Sequence, residues 1–223
     1  MTRIFVADTE TTGLKSSDRV VEYAHLECRL QANRLVVVKQ FETLTNPGIP
    51  IPEGAMKVHG VNDAMIAKAP YLRDVLPAAL GVAKNEYAKM FGHNFTAYDM
   101  QFLDGLIPDS FDIGCTLKAA RMFIDAPRHS LDFLREHLDL PEALAHSALG
   151  DCCSTFHLIN HMLAAGTPWD ALSSCMLSKP TAITFGKHKG TLLQDLPDDY
   201  VRWLLEKCDN TSWELRRALK ELA

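Results

Sequence analysis

Two long runs rich in β-branched and aromatic residues, 20–30 and 34–43, are separated only by Gln31, Ala32 and Asn33. Runs of this kind with so short a connection predict a β-hairpin. A hairpin with strands this long commits the chain to a sheet that needs cover on at least one face. A mostly apolar stretch, residues 3–8, precedes it and predicts a further strand. The segment from Asn46 to Pro52 carries Pro47, Pro50 and Pro52, which exclude helix. Beyond it, helical patterns are expected at 52–58, 72–83, 98–106, 116–124, 131–137 and 147–164, with Gly166 as a stop signal. A strand at 89–93 interrupts them. Three consecutive strands, then strands alternating with helices, predict an α/β protein with a mixed sheet and helices on its faces.

The chain of 223 residues suffices for one such core and a small appendage. Apolar residues make up 47% and charged residues 23%, as in ordinary globular proteins. No apolar stretch approaches the ~18 residues of a membrane span, so no membrane partner is expected. The first residues hold too short an apolar run for a signal peptide. The six cysteines form no C-x-x-C pair, which argues against a thiolate zinc site and fits a reduced, cytoplasmic protein. His157 and His161 are four apart, but no glutamate follows His157 as in H-E-x-x-H, so they are not read as a zinc pair.

Three groups of residues carry chemistry. The first is Asp8-Thr9-Glu10-Thr11-Thr12-Gly13. In a strand, Asp8 and Glu10 project from one face, at the end where α/β sheets place ligands. Two adjacent carboxylates repel unless a hard cation such as Mg²⁺ lies between them. The second, Gly92 to Asp99, passes from a strand into a helix with an acid at its start. The third is His146-Ser147-Ala148-Leu149-Gly150-Asp151, with a histidine before a long helix and an acid inside its first turns. Singly, each has an ordinary alternative: an exposed strand end, an aspartate favouring a helix dipole, a solvated loop histidine. In this order and on these elements they reinforce one another.

D-x-E, N-x-x-x-Y-D and H-x-x-x-x-D together resemble the motifs of the DEDDh exonucleases, over residues 1–165. Proofreading subunits of bacterial replicative polymerases and RNase T belong to that superfamily. Asn46-Pro47-Gly48, Ile51-Pro52 and Val58 to Asp63 agree with the segment between its first two motifs. The second motif places three residues between Asn94 and Tyr98, where many relatives have two. The tail, Thr184-Phe185-Gly186-Lys187-His188-Lys189-Gly190 followed by Asp199 to Leu204, resembles that of the exonuclease X group. The resemblance implies an RNase H-like, mixed five-stranded sheet flanked by helices, with a small C-terminal appendage. It implies a catalytic domain at 1–165, a linker or helix at 166–180, and an appendage at 181–223.

It also implies two-metal phosphodiester hydrolysis. Asp8, Glu10, Asp99 and Asp151 would hold two Mg²⁺ or Mn²⁺ ions, with Asp8 bridging them. His146 would take the proton of the attacking water, releasing nucleoside 5′-monophosphates from 3′ ends. By position, the backbone at Thr11, Thr12 and Gly13 would hold the terminal nucleotide and Leu14 would wedge against its base. His59 either approaches the terminal 3′ hydroxyl or closes a turn. Phe95 and Tyr98 are candidates to stack on bases, Tyr98 having core packing as its alternative. Lys187, His188 and Lys189, with Arg202 and Trp203, offer a contact to DNA backbone or a solvated surface. The expected partner is a DNA 3′ end, single-stranded or duplex; an RNA substrate, a polymerase-associated role and a homodimer stay open. The formal charge of −5 opposes nucleic-acid binding until cations load the acidic site, two of which add +4.

Overall fold

A computed structural model describes residues 2–83, 86–208 and 211–222. It divides into two compact units, Met1–Leu177 and Ser178–Ala223.

The first unit is built on a five-stranded sheet of order β3-β2-β1-β4-β5. Strands β1 (Arg3–Thr11), β2 (Val20–Gln31) and β3 (Arg34–Leu44) pair antiparallel. Strands β4 (Ala88–Gly92) and β5 (Phe111–Cys115) add in parallel beyond β1. The expected mixed sheet with helices on its faces is therefore present. The connection from β2 to β3 is tighter than expected. Ala32 and Asn33 alone form the turn, both at positive φ, which suits the right-handed twist of the strands. The Asn33 side chain also accepts the Trp169 amide at 3.1 Å, tying the turn to the chain beyond the long helix.

The described residues of this unit also form the helices α1 (Glu53–His59), α2 (Asp63–Ile66), α3 (Leu72–Leu80), α4 (Met100–Leu103), α5 (Thr116–Phe123), α6 (Leu131–His137) and α7 (Ala148–Ala164). An eighth, α8 (Trp169–Met176), lies in the segment read as linker or helix, and buries Leu172 and Met176 in the main core. Strand β5 went unlocated in the sequence because its five residues, Phe-Asp-Ile-Gly-Cys, are too few and too mixed to show a period. The helix expected over 98–106 shrinks to α4, since Asn94 at φ 59° starts a series of turns that runs to Asp99.

Helix α7 packs across β1, β2 and β3. Its Ala148, Cys152, Leu158, Ile159 and Met162 meet Ile4, Val6, Ala24, Leu26 and Cys28 of the sheet, all buried. Small residues at Ala148 and Cys152 let the helix start approach closely; Cys152 Sγ lies 3.4 Å from the Ala24 carbonyl. Ser147 caps the helix by accepting the Gly150 amide at 3.2 Å. The opposite sheet face buries Phe5, Tyr23, His25 and Phe111, with His25 and Phe41 stacked.

The second unit has its own core of Ile183, Leu193, Leu196, Tyr200, Leu204, Leu215 and Leu219. It contains helices α9 (Asp198–Glu206) and α10 (Trp213–Leu222). Among the described residues of the whole chain, no helix is long and apolar enough to cross a membrane.

Candidate active site

Strand β1 is central in the sheet, and its C-terminal end carries Asp8 and Glu10. Their shared face is the one α7 covers, since Ile4 and Val6 precede them in the same alternation and join the α7 core. Pairing of β1 with β2 shifts register between Glu10 and Thr11, so regular sheet stops at the second acid. Asp151 enters from the first turns of α7. One oxygen each from Asp8, Glu10 and Asp151 lie within 4.8 Å of one another. Among the described residues, no other group of three or more His, Cys, Asp or Glu meets that spacing.

Asp99 follows β4 and reaches under the neighbouring strand. Its Oδ1 accepts the Thr9 amide at 3.1 Å and the Thr9 hydroxyl at 2.7 Å, which fixes the carboxylate beside Asp8. Gly92 makes this approach feasible: an added Cβ would stand 2.4 Å from the Phe95 ring and 2.5 Å from the Ala7 carbonyl. His146 stands on the loop before α7, at φ 58° and with half its side chain exposed. Its backbone amide donates to the Asp151 carboxylate, and its Nε2 is 3.9 Å from Asp132 Oδ2 on α6.

These acids crowd one another out of water. Burial, then repulsion from Asp99, Asp151 and Glu10, pushes the Asp8 carboxyl far above its usual range. Burial and the Asp151 and Glu22 charges raise Glu10 to about 8. Burial raises Asp99 to about 7 against the opposing Thr9 hydrogen bonds. Burial, with Asp132 nearby, raises Asp151 to about 6. A set of hard oxygen donors that repel each other in this way is suited to divalent cations such as Mg²⁺ or Mn²⁺.

Asp8, Glu10, Leu14, Asp99, His146 and Asp151 line one open cleft of about 310 Å³, together with Thr9, His93, Asn94 and Tyr98. Leu14 is 73% exposed at its edge. Thr11, Thr12, Gly13 and His59 are not in this lining. The Thr11 hydroxyl donates to the Gly13 carbonyl at 2.7 Å, and the Thr12 hydroxyl to Asp18 at 3.1 Å, so both side chains serve the turn. His59 Nδ1 accepts the Val61 amide at 3.0 Å, which closes a turn. Phe95 requires correction as a stacking residue: it is fully buried beneath Gly92 and offers no face to a base. Tyr98, for which core packing was the alternative, is the half-buried aromatic that reaches the cleft.

Three residues went unread in the sequence. Glu22 lies directly across from Glu10 in the β1–β2 pairing, and accepts the Ala148 amide at 3.3 Å at the start of α7. The hairpin register is what would have placed it. His93 is held by the Thr116 hydroxyl (3.0 Å) and the His129 carbonyl (2.7 Å). Asp132 carries no local signal; only the placement of α6 beside the His146 loop brings it to the site.

Gly150 sets how close that loop comes. An added Cβ would fall 1.8 Å from the Leu144 carbonyl oxygen, on the path to His146. Helix propensity alone favours Ala by about 1 kcal/mol, yet the overlap must displace the loop. Gly150→Ala is therefore expected to lower kcat about tenfold or more, roughly 1.4 kcal/mol of barrier. An unchanged kcat on an oligonucleotide substrate would show that the loop position does not matter.

A model of the family described as Exonuclease matches residues 5–158. A second, described as "Putative quorum-sensing-regulated virulence factor", matches residues 176–210. The chain is 29% identical over 228 residues to exodeoxyribonuclease 10 of Escherichia coli K12, covering 96% of each. It is 38% identical over 170 residues to a DNA polymerase III subunit epsilon-like protein of Rhodobacter capsulatus, covering 72% of this chain but only 23% of that protein. Among solved structures, exonuclease X in complex with 5′ overhanging duplex DNA matches 78% of this chain and 99% of its own, with TM-score 0.61 and 26% identity. Escherichia coli exonuclease I in complex with a dT13 oligonucleotide shares the fold, with TM-score 0.62 and 14% identity over 78% of this chain and 43% of that one. With a sheet of this order, an acidic cleft at its centre and a family match over most of its length, the chain belongs to the exonuclease family, in the DEDDh superfamily.

Proposed function

We propose that this chain is a 3′→5′ exodeoxyribonuclease that releases nucleoside 5′-monophosphates. The observation that carries the reading is the convergence of Asp8, Glu10 and Asp151 within 4.8 Å, with Asp99 and His146 lining the same cleft. Asp8, Glu10, Asp99 and Asp151 would hold two Mg²⁺ or Mn²⁺ ions, which supply charge neutralisation and a lowered pKa for water. The protein's own contribution is arrangement. Thr9 fixes Asp99, the His146 amide fixes Asp151, and Glu22 accepts from the helix that carries it.

His146 is the proton acceptor for the attacking water. A half-exposed imidazole on a loop can reach a water that the rigid acids only position. Leu14 and Tyr98, at the cleft, would pack against the terminal nucleotide. DNA is favoured over RNA because the relative matched over 96% of both chains is named an exodeoxyribonuclease. The likeness to the epsilon-like protein supports a proofreading role as the second reading, over 72% of this chain.

His146→Ala is expected to lower kcat about 10²- to 10⁴-fold, the usual size of a general-base contribution, with KM changed only a few-fold. Steady-state kinetics on end-labelled single-stranded DNA and on RNA of the same sequence test both points. Wild-type kcat in the variant would remove His146 from the reaction, and faster RNA decay would reverse the substrate assignment.

A further inference from the structure

The second unit carries a surface that the cleft does not use. Its loop 183–191 is a tight return, closed by Gly190 N–H to the Ile183 carbonyl (2.7 Å) and Ile183 N–H to the Thr191 carbonyl (3.0 Å). Gly186 and Gly190 take φ of 66° and 88°, conformations that glycine adopts without strain. Between them Lys187 and Lys189 are exposed. The loop is pressed onto α9: the His188 ring lies 4.4 Å from that of Tyr200, and the Lys187 ammonium is 5.5 Å from the same ring. Tyr200 in turn stacks on Trp203 at 5.5 Å and 21°.

This stack has one unusual member. Tyr200 is buried, yet Trp203 at its end keeps 42% of its surface in solvent. A large indole braced by a neighbouring ring and left open presents a rigid π-face at little entropic cost. Exposed Arg202 adjoins it in sequence, and exposed Lys207 follows one helical turn later. The acids of α9 are Asp198 and Asp199 in its first turn, favourable to the helix N-terminus, and Glu206 at its end. Residues 178–223 carry eight Lys and Arg against seven Asp and Glu, whereas residues 1–177 carry 15 against 21. Cations beside an open aromatic face are the pairing that single-stranded nucleic acid requires: phosphates take the charges and a base takes the ring.

We propose that Lys187, Lys189 and Trp203, none of which lines the cleft, form a second nucleic-acid site that holds one strand of DNA by its phosphates and one stacked base. The choice of DNA over RNA rests on the proposed function, through the relative named an exodeoxyribonuclease; the existence of the site does not. Because the two units are covalently joined, a strand held here stays at high effective concentration for the catalytic unit between cleavage events.

The test is fluorescence anisotropy of the full chain in EDTA, which separates binding from hydrolysis, with labelled oligothymidylate and oligouridylate of about 20 nucleotides, longer than a typical single-strand site. Lys187→Glu combined with Lys189→Glu is expected to weaken oligothymidylate binding at least tenfold and to flatten the log-salt slope by about 1.4, two phosphate contacts' worth. Trp203→Ala should weaken it about fivefold or more, and Trp203→Phe should retain most of the affinity. The two lysines are exposed, so their reversal decides the matter even if Trp203→Ala perturbs the unit. Wild-type affinity in the double reversal would overturn the site, and tighter binding of oligouridylate would overturn its assignment to DNA.

Discussion

Asp8→Asn is expected to lower kcat on single-stranded DNA by at least about a thousandfold, roughly 4 kcal/mol of transition-state stabilisation. The substitution keeps the shape of the side chain and removes only its charge. Asp8 feels Asp99, Asp151, Glu10 and Glu22 at once, so it lies at the electrostatic centre of the site. It shares with Glu10 and Asp151 the spacing in which a single cation could be held. Removing it leaves the other acids in place but takes away their common neighbour. The same change should stabilise the metal-free protein, because the fold no longer has to oppose the ionisation of a carboxyl buried among other acids. Steady-state kinetics and thermal unfolding in EDTA measure the two effects. Turnover within tenfold of wild type would place the chemistry elsewhere.

Metal-free protein should lose stability as pH rises from about 6.5 through about 8, and saturating Mg²⁺ should abolish most of that loss. Glu10, at about 8, and Asp99, at about 7, titrate in the folded state well above their ordinary carboxylate values. A carboxyl whose folded value is raised holds its proton more tightly when folded. Its stabilising contribution is complete below the unfolded value and disappears as pH passes the folded one. The effect amounts to a few kcal/mol, at about 1.4 kcal/mol per pH unit of displacement. Below 6.5 a different group acts in the opposite direction. Burial holds His25 down to about 4, so folded protein resists a proton that unfolded protein accepts, and this group takes stability away as pH drops from 6.5 toward 4, against the gain the acids still give there. Restricting the comparison to pH above 6.5 therefore isolates the acids. Denaturant unfolding in EDTA and in Mg²⁺ across that range is the measurement. A flat profile in EDTA would contradict the crowding of the carboxylates.

The parts of this structure legible in sequence were those with long, strong periods or fixed spacings. The β2–β3 hairpin, the helix behind His146 and the five polar residues at Asp8, Glu10, Asp99, His146 and Asp151 could all be named in advance, and the cleft gathers those five. What escaped depends on register and depth. Phe95 and Tyr98 stand three residues apart in one motif, and only the turns opened by Asn94 decide which faces inward. Glu22 becomes visible once the strand register puts it opposite Glu10. Asp132 lies 14 positions before His146, and no local pattern announces that α6 will bring it within 3.9 Å. Strand β5 has only five residues of mixed polarity, and the Pro108-Asp109-Ser110 turn before it does not by itself announce a strand, so it is specified by the sheet it joins.

The most direct test of the central claim uses single-stranded DNA labelled at its 5′ end, incubated with the full chain in Mg²⁺ and in EDTA. In Mg²⁺ the label is predicted to shorten one nucleotide at a time from the 3′ side, with nucleoside 5′-monophosphates as the product, and in EDTA it is predicted to stay at full length. Immediate release of the label as a mononucleotide, or equal degradation in EDTA, would contradict the account.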